Sequence, residues 1–203
     1  MVVTAVEPRR KSLSALFIDG EFALKLDTAT LLENRIVSGI ELTDEELHEL
    51  ILKSDLRRAK EKALWLISYR DHTCAELLNK LKKDFSEEAA EAAVAKMLEL
   101  RLINDEEIAR RYASELHNVK HLSAQSIKYK LIAKGIDKDT AEEITGELMI
   151  DPVEEITLLI EKKYANKLTD EKGKRRAFAA LQRAGYHYGD IRAAMAPFLE
   201  EQY

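Results

Sequence analysis

CAELLNKLKKDF (Cys74–Phe85), AQSIKYKLIAKGI (Ala124–Ile136) and KRRAFAALQRAGY (Lys174–Tyr186) are one segment written three times. Leu77, Ile127 and Ala177 fall in the same place, as do Leu81, Leu131 and Leu181, fifty residues apart in each case. Each segment closes on a large apolar residue: Phe85, Ile136 or Tyr186. In the last two, Gly135 and Gly185 come just before it, where a helix end wants a residue that tolerates positive φ. The first has Asp84 there and is one residue shorter. A fixed period of this size predicts a helical repeat array.

Working outward, each segment is the middle helix of three. In the first unit, Leu56, Ala59, Ala63 and Ile67 form one apolar stripe, and Leu64, Trp65 and Leu66 widen it. So wide a stripe predicts a central helix. Thr73 and Glu76 make a capping box for the second helix, and Ser86 starts the third. The second unit starts at Asn104-Asp105, with Ile108, Ala109, Tyr112 and Leu116 lining its first helix. Ser123 can cap its second helix, and Asp137 or Asp139 its third. The third unit starts at Asp151-Pro152, an N-cap followed by proline at the first helical position. Thr169 can cap its second helix, and Tyr186 to Phe198 covers its third.

Upstream of the repeats the pattern changes. Leu16, Phe17 and Ile18 lead into Asp19-Gly20, and Phe22, Leu24 and Leu26 then alternate with Ala23 and Lys25. Asp-Gly between apolar runs predicts a tight β-hairpin. A short helix follows, about Thr28 to Ile36, ending before Gly39, and the capping box at Thr43–Glu46 starts another. The chain therefore reads as mainly α. Three tandem three-helix repeats form an elongated curved array, behind a short N-terminal β-hairpin and short helices. The expected boundaries are 1–54 for the N-terminal extension and 55–103, 104–150 and 151–203 for the repeats.

Composition agrees. Of 203 residues, 46% are hydrophobic and 34% charged, enough for a core and a solvated surface, and seven glycines and three prolines suit long helices. Cys74 is the single cysteine, which excludes an intramolecular disulfide and predicts a reducing, cytoplasmic setting. MVVTAVEPRRKS carries no apolar run of signal-peptide length, and no membrane association is expected. The net charge of −5 alone argues against nucleic-acid binding, but it is unevenly placed. Lys162 to Arg183 has eight basic residues and two acidic ones, whereas Asp137 to Glu155 has eight acidic and one basic.

LELRLINDEEIA (Leu98–Ala109) resembles the RecX family, regulators of the bacterial recombinase RecA. So do Ala63–Arg70 followed by Ala75–Leu81, and LIAKGI (Leu131–Ile136). The hairpin, the short helix, Gly39 and LTDEEL (Leu42–Leu47) also fit that family, so the resemblance covers roughly residues 15–198. It implies a protein that binds within the groove of the RecA–DNA filament, and that blocks filament extension or promotes disassembly. It also implies lowered ATP hydrolysis and strand exchange, without a catalytic site of its own.

The residues themselves offer little chemistry. His117 and His121 are four apart, but the helix from Asn104 is expected to end near Asn118, and no third ligand stands out. There is no glycine-rich phosphate loop and no G-x-S-x-G, and Cys74 sits inside a capping box. No enzyme activity, cofactor or metal is expected. The basic residues carry the sharper reading. Lys172, Arg176 and Arg183 fall near one helical stripe with Ala179 and Ala180 between them, Arg175 lies beside it, and Lys130 and Lys134 are neighbours in the second unit. Either these groups are solvated helix faces, or they contact a recombinase filament or DNA backbone. With the resemblance counted, a monomer binding the RecA filament is expected, with direct DNA contact possible. The alternatives are a helical-repeat protein that binds DNA directly and a structural scaffold for another protein.

Overall fold

Asp19 and Gly20 turn the chain with φ of 51° and 90°, the two positive values a tight hairpin needs. The structure is a computed structural model that describes residues 1–164, 168 and 170–200, with backbone only at 199 and 200. It divides into two compact units, Met1–Asn104 and Asp105–Tyr203.

In the first unit the turn joins β2 (Leu13–Ile18) to β3 (Glu21–Asp27), and β1 (Val3–Pro8) pairs antiparallel with the other edge of β2. The expected hairpin is thus corrected to a three-stranded sheet in the order β1-β2-β3. The β-branched run Val2-Val3-Thr4-Ala5-Val6 supplies the extra strand, and a third strand gives the hairpin the packing it lacks alone. Val3 is buried with Leu16, Leu26, Leu31, Ile36, Leu42 and Leu50. Leu24 and Leu26 turn inward as the alternation requires. Phe22 is exposed beside the turn, edge-on to Phe17 at 5.9 Å.

Asp27 ends β3 and starts α1 (Thr28–Glu33). Its buried carboxylate accepts from the Thr30 N–H at 2.7 Å and the Thr30 hydroxyl at 3.0 Å, and lies 3.3 Å from Arg57 Nε. Its own N–H donates to Ser54 Oγ at 2.7 Å. Ser54 and Arg57 belong to α2 (Asp44–Tyr69), a single 26-residue helix begun by the Thr43–Glu46 capping box. Two separate helices were expected here, one from Thr43 and one from Asp55. They are one helix because no glycine or proline interrupts 44–69, so backbone hydrogen bonding continues through the expected boundary at 54/55.

Helix α2 is central, packing against β3, α1 and the two helices that follow it, but the expected width of its buried stripe is corrected. Leu50, Ala59, Ala63 and Leu66 are buried, but Leu64 and Trp65 are 45% and 58% exposed. Small alanines on the inward stripe let α2 lie close to its neighbours, so the wider stripe faces water. The Thr73 box caps α3 (Cys74–Leu81), and Ser86 caps α4 (Glu87–Glu99). Asp55 ties α2 to that second cap by accepting from Ser86 N at 3.0 Å and Oγ at 2.7 Å. At the close of α3, Asp84 and Phe85 both donate N–H to the Leu81 carbonyl at 3.0 Å. Asp84 has no positive φ, which is how this segment closes one residue earlier without glycine.

The second unit holds α5 (Asp105–Asn118), α6 (Ala124–Ala133), α7 (Lys138–Glu147), α8 (Pro152–Leu159), α9 (Glu171–Arg183) and α10 (Tyr188–Glu200). Helix α8 runs on into a π-helical turn, Ile160–Tyr164. Ser123, Asp137 and Asp151 are the N-caps of α6, α7 and α8. Thr169 lies outside the described residues. Helix α9 is capped by Asp170, which accepts from Gly173 N at 2.6 Å. Leu81, Leu131 and Leu181 are all buried, as are Leu77, Ile127 and Ala177, so the matched positions occupy matched environments. Ala109, Ala113, Leu116, Ile127, Leu131 and Ile144 share one cluster, and Ile156, Ile160, Leu181, Tyr186 and Ile191 share another.

The two clusters of this unit are latched together by polar contacts. Ser123 N donates to the Ala184 carbonyl at 3.0 Å, and Ser123 Oγ to the Gly185 carbonyl at 2.8 Å. The Tyr186 hydroxyl donates to the His121 carbonyl at 3.3 Å, and burial, with Glu155 nearby, raises its pKa far above the tyrosine range, so it stays a donor. His121 Nδ1 lies 3.4 Å from Glu155 Oε1.

Candidate partner-binding surface

Helix α9 buries Ala177 and Leu181, leaves Lys174, Phe178 and Ala180 half-buried beside them, and turns its opposite face outward. Lys172, Arg176, Ala179 and Arg183 are exposed at i, i+4, i+7 and i+11, one stripe along the helix. A shallow hollow of about 440 Å³ runs along it, lined by Glu171, Lys172, Arg175, Arg176 and Ala179. Lys172, Arg175 and Arg176 form no ion pair among the described residues, and Arg183 Nε donates to the Ala179 carbonyl at 3.3 Å. The small side chain of Ala179 keeps the stripe low between its charges. Ala180, expected on that stripe, is half-buried.

The other basic pair is not equivalent. Lys130 is exposed on α6. Lys134 caps the end of α6 and sets its ammonium 4.8 Å from the Tyr112 ring centroid, a cation–π contact that holds it to the body of the protein. The hollow beside α9 is lined by neither residue.

The structure also adds residues that the linear pattern did not bring forward. Arg192 and Met195 of α10 face Lys174, Arg175 and Phe178 of α9 across a second groove of about 290 Å³. Only the packing of α10 on α9 brings these residues together, so no local spacing announces them. In the first unit, Trp65 and Tyr69 stack at 6.4 Å with rings 12° apart, and Lys62 Nζ stands 4.5 Å above Trp65. The i, i+4 spacing of Trp65 and Tyr69 is the signal the sequence offers, and of the two Trp65 alone was expected on the apolar stripe.

Metal and nucleophile geometry differ from such surfaces. His117 is on α5, whereas His121 lies beyond its end with φ of 51° and is turned to Glu155. Among the described residues no three His, Cys, Asp or Glu side chains gather to hold a metal ion. Cys74 is half-buried in the first turn of α3. Among the described residues no helix is long and apolar enough to cross a membrane.

Fold and surface together define a repeat protein of three-helix domains that presents charged helix faces. Family models for RecX match twice: the first three-helix domain over residues 59–97 and the second over residues 104–144. The regulatory protein RecX of Caldanaerobacter subterraneus subsp. tengcongensis is 34% identical over 167 residues, covering 80% of this chain and 84% of that protein. The RecX of Bacillus subtilis is 28% identical over 199 residues, covering 95% of this chain and 75% of that protein. Among solved structures, RecX from Lactobacillus salivarius superposes with a TM-score of 0.59 at 26% identity, covering 72% of this chain and 97% of that one. Another crystal structure of regulatory protein RecX has the same fold, with a TM-score of 0.63 at 21% identity, covering 96% of this chain and 98% of that one. The chain belongs to the RecX family of regulatory proteins.

Proposed function

We propose that this protein restrains the RecA recombinase by binding the RecA–DNA filament, limiting its extension, ATP hydrolysis and strand exchange. It acts in the cytoplasm as a monomer and by contact, not by catalysis. The observation that carries this reading is the stripe Lys172, Arg176 and Arg183 on α9, in a chain of the RecX family. Exposed charge of one sign on a rigid helix steers encounter with an oppositely charged surface, and is strengthened at low salt. The phosphate backbone of the DNA held in such a filament is a target of that sign.

The test is RecA-driven ATP hydrolysis on single-stranded DNA with the protein added, comparing the native chain with Arg176→Glu/Arg183→Glu. The native protein should slow hydrolysis. The double variant should slow it much less, with association reduced more than dissociation is raised. Helicity and melting temperature should be unchanged, since exposed charge changes of this kind alter stability by about 0.5 kcal/mol or less. Undiminished inhibition by a normally folded double variant would make the stripe a solvated face and move attention to Lys130. No slowing by the native protein would remove RecA as the partner. Retention of the protein on RecA-free DNA, falling steeply with salt, would favour direct phosphate contact instead.

A further inference from the structure

The groove between α9 and α10 combines an apolar floor with a charged rim. Its floor is apolar: Met195 is 4% exposed and Phe178 half-buried. The Phe178 ring is held edge-on against Tyr188, with centroids 5.2 Å apart and planes at 62°. Its rim is mainly cationic: Lys174 and Arg175 stand on the α9 wall and Arg192 on the α10 wall, and Glu171, which also lines the α9 wall, offsets only one of these three charges. Lys174 is shared with Glu171 at 3.4 Å, whereas Arg175 and Arg192 have no ion pair among the described residues. Both arginines are exposed and able to meet a planar anion with two parallel N–H donors.

We infer that this groove receives an acidic peptide segment of the protein partner, anchored by one large apolar side chain between flanking carboxylates. The inference rests on the reading that the third repeat meets a protein, and it names what that protein presents. The size fits: at about 290 Å³ the groove is at the small end of ligand pockets and takes one or two side chains. The lining fits as well. A methionine and a phenyl ring make an adaptable floor for an inserted aliphatic or aromatic group. Arginine on both walls supplies the polar rim that surrounds such an anchor in protein interfaces. A nucleic-acid backbone fits less well. It needs a continuous cationic track, and bases need open ring faces. Here the cations bracket a pocket, and the Phe178 ring has its neighbour Tyr188 against it.

The test uses the full chain and fluorescence anisotropy with three labelled probes: a short peptide of glutamates around one phenylalanine, the same peptide with alanine in its place, and an oligothymidylate of equal charge. The phenylalanine peptide should bind about tenfold tighter than the alanine peptide, the ratio that one modest apolar anchor gives. Arg175→Glu/Arg192→Glu should lower its affinity by at least about tenfold while leaving the melting temperature unchanged. Equal binding of the two peptides overturns the inference, as does equal or tighter binding of the oligothymidylate, or indifference to the double charge reversal. The same variants are run in the RecA hydrolysis assay. Failed peptide binding with intact inhibition sinks the groove and leaves the filament reading standing. Specific peptide binding by a protein that does not slow RecA supports the groove and removes the filament.

Discussion

The hydroxyl of Ser123 donates to the carbonyl of Gly185 at 2.8 Å while accepting from Ser126 N at 3.2 Å. One side chain therefore caps α6 in the second repeat and satisfies the turn that ends α9 in the third. The carbonyls of a helix end otherwise need water or a following turn. Here the neighbouring repeat supplies the partner, and the backbone comes so close that no side chain fits between.

That closeness sets the first prediction. Gly185 has φ of +92°, and a Cβ there would sit 1.9 Å from Ser126 Oγ and 2.7 Å from Ser123 Oγ. Gly185→Ala should destabilise the second unit by more than about 2 kcal/mol, since left-handed strain and overpacking add. Gly39 has the same φ but open space around it, so Gly39→Ala should cost only the strain, about 1–2 kcal/mol. Urea unfolding of both variants checks the difference. Equal losses would mean that the close approach contributes nothing.

Ser54 gives a prediction against helix propensity. Serine inside a helix is a weaker former than alanine, so propensity alone makes Ser54→Ala stabilising by a few tenths of a kcal/mol. Its hydroxyl, however, is the partner of the buried Asp27 N–H at 2.7 Å. Removing it leaves that donor unsatisfied and should cost about 1–3 kcal/mol. Hydrogen exchange at the Asp27 amide should speed up in parallel. A rise in melting temperature would show that propensity wins.

His72 sets a pH dependence. It is 2% exposed, and its Nδ1 lies 2.8 Å from the Arg70 carbonyl. Burial pushes its pKa down. The hydrogen bond to the Arg70 carbonyl opposes that shift, Arg70 and Lys80 add to it, and Glu76 works against it. The folded value lies below the unfolded one, so the folded chain binds fewer protons as pH falls through this range. The stabilisation is present above the unfolded value and is lost as pH drops. Unfolding free energy should therefore fall between about pH 7 and pH 5, and His72→Gln should flatten that slope. A slope identical in the variant would assign the change to the carboxylates.

Trp65 separates surface from core on one helix. It is the sole tryptophan and 58% exposed, so its emission should be that of a wet indole and readily quenched by acrylamide. Trp65→Ala should cost less than about 1.5 kcal/mol, the worth of its contacts with Tyr69 and Lys62. Leu66→Ala, next along the chain and 8% exposed, should cost about 2–5 kcal/mol. A large loss at Trp65 and a small one at Leu66 would reverse the orientation of α2.

The contrast at Trp65 shows what could be read from residue order. Caps and turns are local chemistry, so Thr43, Thr73, Ser86, Asp151 and the Asp19-Gly20 turn were legible in the sequence and are in place. The fifty-residue period was legible because Leu81, Leu131 and Leu181 meet equivalent cores. Strand β1 is less legible: its pairing with β2 is local, but no Asn-Gly or Asp-Gly turn marks the link at 9–12, and its contact with Ile40 is distant in sequence. The orientation of α2 was lost for a related reason. Aromatics and alanines alternate around it, and the alanines won the interior because neighbouring helices approach closely there. The α9 stripe was visible as helical spacing. The groove beyond it needed α10, whose Arg192 and Met195 have meaning only once packed.

Helix α2 leaves a constraint on how this protein can change. Its first half is fastened to the sheet through Ser54 and Leu50, and its second half packs the first three-helix repeat through Ala59, Ala63 and Leu66. The two halves therefore share one angular phase. Deleting one residue near Asp55 would rotate everything upstream by about 100° and shift it by about 1.5 Å. The sheet would then face the wrong side of the helix. Only insertions or deletions near whole numbers of turns, such as about seven or eleven residues, keep both halves in register. The sheet therefore cannot be exchanged between relatives as a free cassette joined at residue 54, and a viable graft must carry α2 with it in phase.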